Sequence, residues 1–350
     1  MNHSEAPVFQ AAGAHAGDSA VAAWLLGCCA LVFAMVVVGG ITRLTQSGLS
    51  IVEWQPVAGA LPPLGEAQWQ ELFLKYQLTP QYRIANPGMS LAEFKGIFWW
   101  EYFHRLLGRV IGAVFLLPLA WFAWRGRISR RLATGLAGIF ALGALQGAMG
   151  WYMVKSGLVD DPRVSQLRLA AHLGMALLIY AAMLWIALDL IHPRARNLAA
   201  PAGLQRLAAA LAALVLVMAL SGALVAGTRA GLAYNTFPLM NGYLVPPDLF
   251  ALEPWYRNLY ANIATVQFDH RLIAWLLAFF VPWLCLRVRR EAASPRARFA
   301  AALLVGALAL QIALGLSTLL LAVPLPLAAA HQAGAMLVFS AALFLLHALR

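Results

Sequence analysis

The sequence predicts an all-α integral membrane protein with eight transmembrane helices. We expect them to form two tandem four-helix bundles related by a pseudo-two-fold axis along the membrane normal. Three observations lead to this fold class: the composition, the spacing of the apolar segments and an internal repeat. Of the 350 residues, 62% are hydrophobic and 11% are charged, whereas soluble domains carry about 25% charged residues. Because so few polar residues cannot cover such an apolar chain in water, we expect the chain to lie in a lipid bilayer.

Eight apolar segments are long enough to span a bilayer, which takes about 20 helical residues. Residues 1–20 precede the first segment and are polar and small, so they predict a disordered cytoplasmic tail. The eight segments lie near residues 21–41, 103–124, 132–153, 169–190, 206–227, 269–287, 299–321 and 328–348.

The basic residues predict the orientation of the chain. The net charge of +11 would suit a nucleic-acid partner, but the arginines cluster in three short connections between apolar segments. With eight helices, these connections fall on one side of the membrane. The positive-inside rule places that side and both termini in the cytoplasm, and we expect no nucleic-acid partner. The clusters are Arg125, Arg127, Arg130 and Arg131; Arg194, Arg196 and Arg206; and Arg287, Arg289, Arg290, Arg296 and Arg298.

Two long loops lie on the opposite side, at about residues 42–102 and 228–268. They contain half of the acidic residues and several prolines and glycines. Because loops of this length usually carry function, we expect the functional site on this side of the membrane.

The second half of the chain repeats the first. His104-Arg105 matches His270-Arg271, and other pairs follow in the same order at nearly the same spacing. We therefore predict an N-terminal half at 21–195 and a C-terminal half at 205–350. A shift by four helices preserves orientation, so the repeat is parallel. The other matches are Thr42-Arg43 with Thr228-Arg229, Gln146 with Gln311, and His172 with His331, each after two alanines.

Four histidines occupy matched positions in the two halves. His104 and His270 open the second helix of their half, and His172 and His331 open the fourth. Polar residues at membrane depth tend to face the bundle interior. Two histidines on facing helices can ligate a haem iron from both faces, so the sequence predicts one haem site in each half. The alternative for each histidine is a hydrogen bond between helices.

Arginines follow the first histidine of each pair, two in the first half and one in the second. Arg105 and Arg271 come directly after it, and Arg109 lies one turn after Arg105. We predict that they pair with haem propionates, because arginine binds carboxylates well in a dry setting. Snorkelling to the membrane interface is the alternative.

The two halves differ in one residue near the first histidine. Glu101 lies three residues before His104, on the same helix face, and Gln267 occupies the matching position. A carboxyl group near a haem can act as an acid or a base, whereas an amide cannot. We predict that the first half carries out chemistry while the second holds a permanent haem that relays electrons. The alternative is that Glu101 bonds a neighbouring arginine.

These residues leave two further functions open. A two-haem electron-transfer protein linked to quinol would use all four histidines, but it gives no role to Glu101. A transporter would suit a duplicated bundle. However, the polar residues lie at the ends of the helices and not at paired breaks near mid-membrane.

Five motifs resemble the haem A synthase family. They occupy residues 39–54, 101–105, 235–242, 267–271 and 331–334, and the resemblance covers about residues 35–345. Some members carry a cysteine pair in an outer loop. Here Cys28, Cys29 and Cys285 all lie in apolar segments, so the chain resembles the branch shared by proteobacteria and mitochondria.

The resemblance implies a reaction and a role for each site residue. Haem O would be oxidised at its C8 methyl group to a formyl group, giving haem A for terminal oxidases. His104 and His172 would hold this substrate. His270 and His331 would ligate a resident haem b, and Glu101 would be the acidic residue needed for oxidation.

The resemblance also implies partners and a location. Haem O synthase would supply the substrate, a donor of unknown identity would exchange electrons, and terminal oxidase assembly would use the product. The chain would lie in the bacterial inner membrane, with its haem sites near the periplasmic side. The sequence is compatible with a homo-oligomer, and it favours neither O2 nor water as the source of the oxygen atom.

Overall fold

The computed structural model describes residues 16–55, 58–159, 161–193, 200–292 and 294–350. These residues form helices and connecting segments, with no named strand among them. The helices are α1 (Ala16–Leu44), α2 (Glu66–Gln77), α3 (Leu91–Trp124), α4 (Arg130–Lys155), α5 (Gln166–Ile191), α6 (Ala202–Thr228), α7 (Asn258–Ala261), α8 (Ile263–Glu291), α9 (Pro295–Leu320) and α10 (Leu325–Ala348).

Eight of these helices are long and apolar enough to cross a membrane, and α2 and α7 are the short exceptions. The predicted all-α fold with eight spans is thus confirmed, and the chain is a multi-pass membrane protein. The first half of the described chain contributes α1, α3, α4 and α5, and the second contributes α6, α8, α9 and α10.

The helix starts differ from those read from the apolar segments. α3 begins at Leu91 and not near 103, because Ser90 and Glu93 form a reciprocal capping box at its N terminus. α8 begins at Ile263, where the side chain of Asn262 accepts a hydrogen bond from the Thr265 backbone. The first turns of α3 and α8 mix apolar side chains with polar ones such as Glu93, Lys95 and Gln267. Hydrophobicity alone therefore places these turns in the loops.

The N-terminal region also differs from the expectation. α1 begins at Ala16, so residues 16–20 of the predicted tail are helical. The remainder of that predicted tail lies outside the described residues. So do Arg194 and Arg196 of the second basic cluster.

The centre of the structure is formed by four helices, α1, α5, α6 and α10. α1 packs against α3, α5 and α10, while α6 packs against α5, α8 and α10. α4 and α9 lie further out, against α3 and α5 and against α8 and α10 respectively. Buried aliphatic side chains such as Leu25, Leu211 and Leu304 form the core between these helices. The two halves pack against each other through α5 with α6 and α1 with α10, and the division into four-helix units at 21–195 and 205–350 stays a prediction. The symmetry that would relate the units stays a prediction.

The two long connections meet on one side of the bundle. Arg229, at the end of α6, donates from Nη2 to Oε1 of Gln46, after α1, at 3.2 Å. In the first connection the ring of Trp54 lies 5.5 Å from that of Trp151 at the end of α4. We call this side the loop side and the opposite side, with the clustered arginines, the arginine side.

A separate aromatic cluster holds the first long connection on α3. It joins α2 to the N-terminal part of α3, beyond the core of the spanning helices. Burial of each large apolar side chain contributes roughly 1.5–3 kcal/mol, so this cluster fixes the loop-side extension of α3. Its members are Trp69, Phe73, Tyr76, Phe94, Phe98 and Tyr102.

Candidate functional site

The four predicted histidines lie on four different helices and meet as two pairs. His104 is on α3 and His172 on α5, while His270 is on α8 and His331 on α10. Within each pair the rings are close enough to interact electrostatically. All four side chains are half-buried. The structure therefore brings together the pairs that the repeat predicted.

Each histidine ring packs against a glycine of a neighbouring helix. A Cβ atom on Gly150 or Gly315 would lie 3.0 or 2.8 Å from the histidine Cε1 atom, closer than ordinary van der Waals contact. Glycine is thus required for the ring to approach the helix so closely. The sequence analysis missed these glycines, although Gly39 belongs to the first quoted motif. The contacts are Gly39 with His104, Gly150 with His172, Gly222 with His270, and Gly315 with His331.

The two ring nitrogens of these histidines have different surroundings, and Nε2 of His172 lies 3.5 Å from Nε2 of Gln146. Nδ1 is buried in His104, His172 and His331, and in His270 it lies 2.8 Å from Oγ of Ser221. Nε2 of His104 and of His270 makes no hydrogen bond to any described residue. An imidazole ligates a metal through its unprotonated nitrogen. His104 and His270 can therefore each offer Nε2 to a haem iron in its own site.

The donor set fits a haem better than a bare ion. Among the described residues, no three or more His, Cys, Asp or Glu side chains are grouped to hold a metal ion. A haem iron is already bound by its porphyrin, so protein side chains supply only the axial ligands. Two histidines on facing helices meet that requirement at each site.

Glu101 is buried beside the first pair, and five hydrogen bonds engage both of its oxygens. Oε2 accepts from the backbone and hydroxyl of Ser50, both at 2.7 Å, and from the backbone of Ile51 at 2.9 Å. Oε1 accepts from Nε and Nη2 of Arg105 at 3.1 and 2.7 Å. Only 2% of the residue is exposed. The carboxylate therefore joins α3 to the loop after α1.

Arg105 and Arg109 also bind this loop. Arg105 donates to the carbonyl oxygens of Ile51 and Glu53 at 2.8 and 3.0 Å. Arg109 donates to that of Gln55 at 2.8 Å. These contacts place both arginines on the loop backbone. The pairing of Glu101 with Arg105 is the arrangement that the sequence analysis kept as its alternative.

The second half uses the same two positions, but here both side chains donate hydrogen bonds to the loop. Nε2 of Gln267 and Nη2 of Arg271 both donate to the carbonyl oxygen of Tyr234, at 3.2 and 2.7 Å. Arg271 also reaches the carbonyl of Leu239 at 3.4 Å. Oε1 of Gln267 and Nε of Arg271 are buried without a hydrogen bond to any described residue. Here the loop presents carbonyl oxygens, whereas in the first half it also presents N–H groups.

A glutamine connects the two sites across the centre of the structure. Gln332 follows His331 on α10, and its Nε2 donates to the carbonyl of Val36 on α1 at 2.7 Å. Its side chain also lies against Gly40, while the adjacent Gly39 lies against His104. Two neighbouring glycines of α1 thus face the two histidine sites. The sequence analysis included Gln332 in a motif but gave it no role.

Comparison with known proteins identifies the family of this chain. The family model described as "Cytochrome oxidase assembly protein", COX15-CtaA, matches residues 22–343. A protein named "Heme A synthase" from Nitrosospira multiformis is 64% identical over 333 residues, covering 94% of this chain and 93% of the relative. One of the same name from Nitrosomonas eutropha is 60% identical over 327 residues, covering 93% and 92%. One from Parvibaculum lavamentivorans is 51% identical over 334 residues, covering 95% of each. The chain therefore belongs to the COX15-CtaA family of cytochrome oxidase assembly proteins.

Proposed function

We propose that this protein is a haem A synthase, a membrane oxidoreductase that converts the C8 methyl group of haem O to a formyl group. The observation that carries the proposal is a buried carboxylate, Glu101, one turn from a paired histidine in only one of two similar sites. The names of the relatives support the same reaction. The product, haem A, would go to terminal oxidases, in agreement with the description of the family.

The two histidine pairs take different haems in this proposal. His104 and His172 hold the substrate haem O, and His270 and His331 ligate a resident haem b. The hydrogen bond between Nδ1 of His270 and Oγ of Ser221 supports this division, because partners of a metal ligand fix its ring and strengthen binding. Nδ1 of the other three histidines makes no hydrogen bond among the described residues. His270 of the resident pair is therefore the one of the four whose Nδ1 has a partner in the described part of the chain.

The reaction must remove electrons and protons from the methyl group. A methyl group and one water molecule give a formyl group, four electrons and four protons. A bound haem b supplies a one-electron carrier, and this chemistry belongs to the cofactor. The protein must bind the substrate, orient the methyl group and keep bulk water away from it.

Glu101 and Arg105 serve these tasks together. They fasten residues 50–53 over the loop-side end of the first histidine pair. With five hydrogen bonds in place, the Glu101 carboxylate is a preorganised negative group that can stabilise positive charge developing on the substrate. Acceptance of a proton by Glu101 would require several of these bonds to rearrange. The geometry therefore favours electrostatic stabilisation over proton transfer.

The proposal includes a location and partners. The arginine side faces the cytoplasm, by the positive-inside rule, and the loop side faces the periplasm of a bacterial inner membrane. Haem O synthase supplies the substrate, and a separate electron acceptor or donor completes the redox cycle. The electron-transfer alternative would need the same two haem sites but no haem O.

The proposal is tested by extracting and separating the haems bound to purified protein. We expect haem b together with haem O or a derivative oxidised at C8, at about one resident haem b per chain. Haem b alone at two per chain would contradict the synthase and favour electron transfer. Protein from cells that lack haem O synthase is the control, and it should retain only the resident haem b.

A further inference from the structure

The first helix of each half ends at an arginine. Arg43 lies in the last turn of α1 and Arg229 directly follows α6, and each comes after a threonine. The hydroxyls of Thr42 and Thr228 bond back to their own helices at 2.9 and 2.8 Å. The threonine hydroxyls therefore bind carbonyl oxygens in the last turn of each helix. Both arginines lie at the loop side.

These two guanidinium groups are near each other, and neither forms an ion pair with a described residue. Arg229 reaches Gln46, three residues after Arg43, and the two arginines interact electrostatically. The Arg43 side chain is half-buried and makes no hydrogen bond or ion pair among the described residues. Asp161 lies within electrostatic range of Arg229, but it is bonded to Arg163 at 2.8 Å. Like charges at short range repel, so an anion between them would stabilise this arrangement.

The other arginines near the histidines already have partners. Arg105, Arg109 and Arg271 donate to carbonyl oxygens of the two loops. The guanidinium of Arg43 is in a different position, because no loop carbonyl accepts from it. It is thus open to a ligand at the point where the two halves meet.

The position of Arg43 relative to His104 identifies the ligand class. Gly39 contacts the His104 ring, and Arg43 comes four residues later on the same face of α1. The arginine is therefore about 6 Å nearer the loop side, by the helical rise. A haem held by Nε2 of His104 would extend past this face of α1. The propionates are its anionic groups, and they favour the aqueous end of the site.

We propose that Arg43 and Arg229 form a carboxylate-binding site for the propionates of the haem held at His104. The inference rests on the proposed function, since it requires a haem at that histidine pair. Arg43 pairs a propionate directly, in a charge-assisted and bidentate arrangement. Arg229 adds a second positive charge while it keeps its bond to Gln46.

The test compares haem with its dimethyl ester, which has the same ring but no propionate charge. Purified protein with its resident haem b is titrated in detergent with each form, and binding is followed by absorption. We expect the wild-type protein to bind the free acid at least tenfold more tightly than the ester. Arg43→Gln should lose most of this preference by weakening the free acid alone. Arg229→Gln should lose less of it.

Arg163→Gln is the matched control, because Arg163 is another loop-side arginine but is paired with Asp161. It should keep the wild-type preference for the free acid. An unchanged preference in Arg43→Gln would overturn the proposed site. Equal weakening of both forms in that variant would also overturn it, since this result indicates a lipid headgroup or a structural role. A wild-type protein that binds neither form at a second site would overturn the proposed function itself.

Discussion

The first and second halves present similar pairs of side chains to their loops, but the first loop presents N–H groups to Glu101 where the second presents a carbonyl oxygen to Gln267. Glu101 accepts N–H groups from Ser50 and Ile51 and pairs with Arg105. At the matching positions Gln267 and Arg271 both donate to one carbonyl oxygen. The halves therefore differ both in one side chain, Glu101 or Gln267, and in the backbone group that this side chain binds.

This comparison changes how Glu101 is understood. Its five hydrogen bonds come from the loop after α1 and from Arg105. Glu101 therefore holds the loop to α3 while it carries a buried negative charge next to a proposed ligand histidine. The same contacts that secure the loop also fix the position of the charge, so structure and proposed catalysis depend on one group.

Substitution of the histidines should produce the largest difference between the two halves. His270→Ala or His331→Ala should abolish the absorption spectrum of the resident haem b, because each removes an axial ligand. His104→Ala or His172→Ala should leave that spectrum in place and stop formation of haem A. Spectra and haem extraction of the four variants check this. Loss of the resident haem from a first-half variant would show that the two sites were assigned to the wrong halves.

A reciprocal exchange at the position before the histidine tests the source of reactivity. Glu101→Gln should lower haem A formation about 10²–10³-fold while haem binding persists, because the charge is lost. Gln267→Glu should give Arg271 a carboxylate partner and retain haem b, without making the second half reactive. Haem A yield and bound haem are measured for both variants.

Ser50→Ala is the control for that exchange. It removes one of the five hydrogen bonds to Glu101 and costs about 1 kcal/mol, but it keeps the carboxylate. We expect most of the haem A formation to remain. A decrease as large as that of Glu101→Gln would mean that Glu101 acts mainly by holding the loop.

The glycines that contact the histidines offer a smaller and more selective test. Gly150→Ala should shift the absorption and weaken binding of the substrate haem, because the new methyl group would displace His172. Gly315→Ala should do the same to the resident haem through His331. Gly138→Ala is the control, since no atom lies within 4 Å of the position of its Cβ. Equal effects of the two test variants on both haems would indicate that the sites are not independent.

The sequence by itself determined the class of the protein, the eight spans and the family. Bilayer thickness requires about 20 apolar residues in each span, and this property can be read along the chain without knowledge of contacts. The repeat also placed four histidines at matched helix positions. Their grouping into pairs followed from the duplication, and the structure brings the same residues together.

Only the tertiary structure decided what the surrounding side chains bind. The loop residues bonded to Glu101 and Arg105 lie about fifty positions earlier in the chain, and Gln332 bonds a residue of the first helix. No local pattern specifies such distant partners, because they depend on how loops and helices pack. The arginines assigned to propionates from their position in sequence therefore lie on loop carbonyls, and the side chain of Arg43 has no hydrogen bond or ion pair among the described residues.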